Sequence, residues 1–140
     1  LLLAHDGGPG IRFAASDVRP MGRTAAGVAG VRTDGARVTS LAVVGGTSSE
    51  ALLVSVSAAG TLRAFPTDEV SVTGRGGKGV KVGDAPLCWF GQAADLHLVV
   101  DGEPTVVRSA DLTAGRRTGR GTALGGTVAP TAAAEHVEAG

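Results

Sequence analysis

The residues best suited to chemistry are Gly74-Arg75-Gly76-Gly77-Lys78-Gly79. Binding a phosphate takes fixed cations and main-chain N–H groups that the ligand can approach closely. Gly76, Gly77 and Gly79 remove side chains that would hold an anion off the backbone, and Arg75 and Lys78 add charge. The string also satisfies G-x-G-x-x-G. A dinucleotide site, however, needs a helix immediately afterwards, and Lys81-Val82-Gly83-Asp84-Ala85-Pro86 will not form one. It is not a nucleotide P-loop either. Val72 stands where glycine is required, and Gly79 where serine or threonine must ligate the metal.

Other chemistries fail on the residues present. His5-Asp6-Gly7-Gly8-Pro9-Gly10 resembles the H-G-G-P-G oxyanion segment of α/β-hydrolases, but Asp6 interrupts it and no G-x-S-x-G elbow occurs. His5, His97 and His136 have no metal-ligand spacing, so no metal site and no catalytic residue are expected. The chain has no tyrosine, which excludes a phenolic nucleophile or acid. Cys88 is the single cysteine and reads as a small buried apolar residue.

Short apolar runs must position the glycine-rich segment. Leu1–Ala4, Val38–Val44, Ala51–Val56, Leu87–Phe90, Leu96–Val100 and Thr105–Val107 are of strand length and rich in Val or Leu. Asp34-Gly35 and Asp101-Gly102 lie between apolar stretches and signal hairpin turns. Thr47-Ser48-Ser49-Glu50 has the capping-box pattern of a helix start. The alternation of Leu52, Val54 and Val56 with Leu53, Ser55 and Ser57 has period two, so a strand is expected there.

The chain repeats itself. At an offset of 51, Ile11-Arg12 falls on Leu62-Arg63 and Asp17 on Asp68. After one inserted residue, Gly22–Val28 falls on Gly74–Val80, both reading G-R-x-x-x-G-V. A weaker third copy runs through Val106-Val107-Arg108, Asp111 and Arg117-Thr118-Gly119-Arg120-Gly121. A period of about 40–50 residues with about four short strands per unit is the signature of a propeller-like array. One small sheet cannot cover both its faces, and stacking the units covers them. The expected fold class is all-β, with about two and a half units near 1–45, 46–90 and 91–121. Thr122–Gly140, mostly small residues, is expected to be a disordered tail (122–140). Asp17, Asp68 and Asp111, which recur once per unit, are expected to satisfy turn backbone groups, with Arg–Asp pairing across units as the other structural option.

Charge is balanced, with 13 Lys+Arg against 13 Asp+Glu. Residues 1–121 hold all 13 basic and 11 of the 13 acidic groups, a net of +2. That excludes a strongly basic tail and an acidic disordered chain. No run of 18 apolar residues exists, so no membrane partner is expected. Leu1-Leu2-Leu3-Ala4, without Met, reads as a strand already in progress, so a fragment of a longer protein is expected. No signal-peptide pattern precedes it. Arg23, Arg75 and Arg117 recur at equivalent places, as do Arg12 and Arg63. On stacked units such recurrence makes a track of cations on one edge. Ordinary solvated turns, with glycine serving positive φ and arginine solubility, fit the same residues.

The stretch Gly10–Gly35 carries a more specific pattern. Asp17-Val18-Arg19-Pro20-Met21-Gly22-Arg23, followed by Gly27-Val28 and Gly30-Val31, resembles the C-terminal domain of the A subunit of bacterial type IIA topoisomerases, DNA gyrase and topoisomerase IV. Thr73–Val80 is similar to the gyrase A box, Q-R-R-G-G-K-G, with Thr73 and Gly74 replacing its first two residues. The likeness covers about residues 1–121 and fades after Arg108.

The resemblance implies a partial β-pinwheel (1–121) whose blades exchange strands and whose rim binds and bends duplex DNA. It implies DNA contacts from Arg12, Arg19, Arg23, Arg32, Arg63, Arg75, Lys78, Lys81 and Arg117, with Gly74, Gly76, Gly77 and Gly79 shaping the box-like loop. It also implies a cytoplasmic, nucleoid-associated bacterial protein partnered by the topoisomerase A-subunit core and the ATPase B subunit. ATP and Mg²⁺ would be used elsewhere in that assembly, with no cofactor here. Strand cleavage in this family needs a tyrosine, so this piece is expected to be inactive alone. The alternative is a propeller-type protein-interaction module without a DNA role, which the near-zero net charge favours.

Overall fold

The apolar runs and the turns between them form eleven strands among the described residues: β1 Leu2–His5, β2 Pro9–Arg12, β3 Val38–Ala42, β4 Leu52–Ser57, β5 Thr61–Pro66, β6 Val80–Lys81, β7 Leu87–Gln92, β8 Leu96–Val100, β9 Glu103–Val107, β10 Thr122–Ala123 and β11 Ala134–Glu135. The structure is a computed structural model and describes residues 1–44, 51–129 and 134–135. The only helical pieces among them are single 3-10 turns at Ala15–Asp17, Thr67–Glu69 and Ser109–Asp111. The period-two segment is the strand β4, and the capping-box residues Thr47–Glu50 lie outside the described residues.

Three antiparallel sheets result, ordered β3-β1-β2-β6, β10-β5-β4-β7 and β11-β8-β9. Strands cross between units. The glycine-rich segment leads into β6, which pairs with β2 of the preceding unit through Pro9↔Lys81 and Gly10↔Val80. One unit later, β10 pairs with β5 through Thr122↔Leu62 and Ala123↔Thr61. Each unit therefore completes the sheet of the one before it.

Two cores lie between successive sheets. The first gathers Leu2 and Ala4 against Leu53, Phe65, Val70, Val82, Leu87 and Phe90. In it the rings of Phe65 and Phe90 stack at 6.3 Å. The second gathers Val54, Val56, Leu62, Ala64 and Cys88 against Leu96, Leu98, Val100 and Val128. Strand alternation explains the division: β4 sends Leu53 to one core and Val54 and Val56 to the other. Ser55 and Ser57 are buried on β4 as well, and Ser57 Oγ accepts the Thr61 N–H at 3.0 Å. Burial also pushes the Cys88 thiol pKa up, so the thiol stays neutral.

At one edge of the stack β3 and β7 pack on each other, and the Phe90 N–H donates to Ser40 Oγ at 2.8 Å. The opposite edges, β6 and β10, are the outer rim.

From β1 to the glycine-rich loop the structural register between the first two units is 52 residues, with no insertion, and it falls to 49 between β3 and β7. The β1–β2 turn closes with Gly8 N–H to the His5 carbonyl, and the β4–β5 turn with Gly60 N–H to the Ser57 carbonyl. Gly8 and Gly60 both have positive φ. The 3-10 turns Ala15–Asp17 and Thr67–Glu69 obey the same spacing. Arg12 therefore aligns with Ala64, and Ile11 with Arg63. Asp17 aligns with Glu69, and Asp111 ends the third turn. The offset of 51 matches like residues but slips the strands by one position, which exchanges the faces. The carboxylates of Asp17, Asp68 and Asp111 make no hydrogen bond or ion pair among the described residues, so the expected role of these aspartates is not what holds the turns.

Both Asp-Gly pairs are turns with positive φ at both residues. Asp101-Gly102 joins the β8–β9 hairpin at Val100↔Glu103. Asp34-Gly35 closes with Ala36 N–H to the Thr33 carbonyl, but no ladder flanks it, because the Arg32 N–H donates to Gly77 and Val38 joins β1. The folded body runs past residue 121. Leu124 and Val128 pack on the second core, and Val128 N–H donates to the Ala58 carbonyl at 2.9 Å. Two apolar side chains and main-chain bonding are enough to tie down Thr122–Ala129. Most of the remaining expected tail lies outside the described residues.

Candidate nucleic-acid interface

The glycine-rich loop is laced to the unit before it. Gly76 N–H donates to the Gly30 carbonyl at 2.6 Å, and Arg32 N–H to the Gly77 carbonyl at 2.8 Å. Arg75 donates from Nε to the Asp17 carbonyl at 3.1 Å and from Nη1 to the Ala29 carbonyl at 3.0 Å. Gly79 takes φ +76, and a Cβ there would lie 2.2 Å from the Gly10 carbonyl oxygen. Gly76 also has positive φ, whereas a Cβ on Gly74 would meet nothing within 4 Å. Gly77 has only ordinary contact with Ile11. The loop thus keeps open main chain beside a fixed anchor.

The pattern recurs one unit later at an offset of 42. Arg117 donates from Nη1 to the Lys81 carbonyl at 2.6 Å, and Lys81 is the counterpart of Ala29. Gly121 has φ +75, and a Cβ on it would come within 2.7 Å of the Leu62 carbonyl. Under each loop is a cleft, about 370 Å³ in the first case and 420 Å³ in the second. Their linings correspond position by position: Gly10 with Leu62, Glu69 with Asp111, Gly77 with Gly119, Lys78 with Arg120, Gly79 with Gly121.

The expected contact residues divide into two groups. Arg12 donates from Nη1 to the carbonyls of Thr67 and Val70, both at 3.0 Å, and ties β2 to the next unit's 3-10 turn. Arg63 donates to the Gly119 carbonyl at 2.7 Å and pairs with Asp84 at 3.1 Å. Its side chain is only 10% exposed. Lys81 pairs with the same carboxylate at 3.3 Å. The Arg63 and Lys81 bonds hold the Asp84 pKa below the ordinary aspartate value, against a smaller opposing effect of burial. Arg32 pairs with Asp34 in solvent. Arg75 and Arg117 are the anchors already described.

Arg19, Arg23 and Lys78 are exposed and make no side-chain hydrogen bond or ion pair among the described residues. The same is true of Arg116 and Arg120, which the repeat at offset 51 does not single out. The signal for Arg120 is its 42-residue offset from Lys78, visible once the glycines of the two loops are aligned. Among the described residues no group of three or more His, Cys, Asp or Glu comes together, and no helix is long and apolar enough to cross a membrane.

Stacked four-stranded sheets that lend each other their outer strands define a propeller of the pinwheel type. The chain belongs to the DNA gyrase C-terminal domain, beta-propeller family, whose model matches residues 6–45 and 51–85. It is 42% identical over 83 residues to the gyrase A protein of Mycolicibacterium smegmatis, which covers 57% of this chain and 10% of that protein. Over 72 residues it is 43% identical to the gyrase A protein of Staphylococcus epidermidis, covering 51% of this chain and 8% of that protein. The chain thus matches only about a tenth of these relatives' length. The crystal structure of the C-terminal domain of DNA topoisomerase IV superposes with a TM-score of 0.79 at 20% identity, covering 91% of this chain and 44% of that one. That likeness is one of fold.

Proposed function

We propose that this chain binds duplex DNA through its outer rim and bends it, serving the A subunit of a type IIA topoisomerase in ATP-dependent change of DNA topology. The observation that carries the reading is the pair of equivalent rim loops, each anchored by one arginine and presenting a free cation, Lys78 or Arg120, over a cleft. Arg19 and Arg23 add exposed charge in the preceding unit. Exposed cations repeated at equivalent places on successive edges suit a backbone that is bound without being read.

The A-subunit core would supply the cleavage tyrosine and the B subunit the ATPase with its Mg²⁺. The setting is the bacterial cytoplasm at the nucleoid. Arg12, Arg63, Arg75 and Arg117 are positioning residues in this reading, since their guanidinium groups are engaged by carbonyls of the chain itself.

The test is duplex binding by the full chain as a function of salt. Lys78→Ala is expected to weaken binding equally on unrelated sequences and to reduce the slope of log K against log salt by about 0.9, one phosphate's worth. No binding at about 50 mM salt, a regime that favours phosphate contacts, would leave the protein-interaction reading. Loss confined to certain base sequences would refute backbone recognition.

A further inference from the structure

The two rim loops differ in what stands behind them. The last residue of the preceding 3-10 turn is Asp17 for the first loop and Glu69 for the second. Asp17 lines a small cleft with Gly74 and Arg75 and offers Arg75 its main-chain carbonyl, while its carboxylate makes no hydrogen bond or ion pair among the described residues. Glu69 is one methylene longer. It lines the corresponding cleft with Arg116, Arg117 and Thr118, and its Oε2 accepts the main-chain N–H of Arg117. A main-chain N–H beside the exposed Arg116 suits an oxyanion, and a carboxylate bonded to it is a charge-assisted contact of the kind a phosphate would make. The second loop therefore carries an anion already, supplied by the chain.

We infer that residues 116–121 form a second seat for a backbone phosphate of duplex DNA, and that Glu69 occupies this seat until DNA displaces it. The inference rests on the DNA-binding reading above. On it, the first loop is open and the second is self-blocked, so the rim gains its second contact only by expelling its own carboxylate. Glu69 also lines the first loop's cleft beside Arg12 and Lys78, so its charge opposes phosphate at both places.

The experiment uses the full chain and a mixed-sequence duplex, with binding measured from 50 to 200 mM salt. Glu69→Ala is expected to tighten binding at the low-salt end. It should steepen the slope by about 0.9, so that the ratio of affinities across that range grows roughly three- to fourfold. Glu69→Gln leaves an oxygen on the Arg117 N–H without the charge and should give part of that gain, which guards against a misfolded alanine variant. Asp68→Ala removes the same charge from the adjacent exposed position without opening the seat and should leave the slope near wild type. Adding Arg116→Ala and Arg120→Ala to Glu69→Ala should abolish the gain.

An unchanged or flatter slope for both Glu69 variants would overturn the inference, as would an Asp68→Ala gain equal to that of Glu69→Ala. If wild type binds with a Lys78-dependent slope in those cases, only this inference falls. If wild type does not bind duplex at all, the DNA reading falls with it.

Discussion

Arg75 donates to the carbonyl of Ala29, and one unit on Arg117 repeats the bond on Lys81. The arginine most conspicuous in the rim motif is therefore spent on joining one blade to the next. Arg75→Lys keeps the charge but loses the planar fork that reaches two carbonyls together. It is expected to lower the stability of the full chain by roughly 1–2 kcal/mol, read as a shift in the denaturant midpoint, with the salt slope of DNA binding nearly unchanged. Lys78→Ala should do the reverse, with stability held within about 0.5 kcal/mol. Equal effects of the two substitutions on the salt slope would contradict this separation of anchor from contact.

Glycines of the rim loop are predicted to differ sharply. Gly79→Ala meets both a positive φ of +76 and the Gly10 carbonyl at 2.2 Å. The loop would have to move off β2, at a cost of about 1–3 kcal/mol, and DNA affinity should fall with it. Gly74→Ala has open space and should change stability by less than about 0.5 kcal/mol. Thermal melts of the two variants decide it, and similar melting temperatures would mean that the close approach to Gly10 is not what fixes the loop.

The sequence makes these strands legible where a run can be judged alone. Leu52–Ser57 alternates, Asp101-Gly102 punctuates, and Leu87–Phe90, which feeds both cores, is an unbroken apolar run. Val80–Lys81 and Thr122–Ala123 are not legible as strands, because each is two residues long and exists only through a partner about 60–70 residues earlier. The slip between Arg12 and Arg63 comes from matching side chains. The fold counts instead from the hairpin turns at Gly8 and Gly60. Nor can sequence foretell which arginines are engaged, because their acceptors are main-chain carbonyls, which every residue possesses. The free cations at Arg116 and Arg120 emerge only once that register is known.

Acid should loosen the second sheet's rim through Asp84. Its pKa is lowered chiefly by the Arg63 bond, then by Lys81. A carboxylate with a folded value below its unfolded one adds stability that is fully present above the ordinary aspartate value of 3.8 and is lost as pH falls through the lowered value. Asp84→Asn should therefore flatten the stability profile below about pH 4 and leave its shape near neutrality unchanged. A steeper acid limb in Asp84→Asn than in wild type would show that the sign is wrong. Asp95, whose pKa is lowered first by the Ser109 N–H and further by Arg108, should account for part of the acid limb that remains.

At the inner edge of the stack a side chain of one sheet bonds the main chain of the next, beside the Leu87 N–H that donates to the Asp6 carbonyl at 2.9 Å. Ser40 Oγ accepts the N–H of Phe90 at 2.8 Å, and both residues are buried. Phe90 belongs to an edge strand of its sheet, so this N–H has the neighbouring blade, not a ladder partner, as its acceptor. Ser40→Ala leaves it buried and unpaired, at a cost of about 1–3 kcal/mol. Ser40→Thr keeps an oxygen and should recover part of the loss. The rim lies on the far edge, so DNA binding by the folded fraction should be unaltered in both variants. Amide exchange at Phe90 is the sharpest readout: it should accelerate in Ser40→Ala more than at the neighbouring positions of β7, and unchanged exchange there would show that the Ser40 hydroxyl is not what protects this N–H.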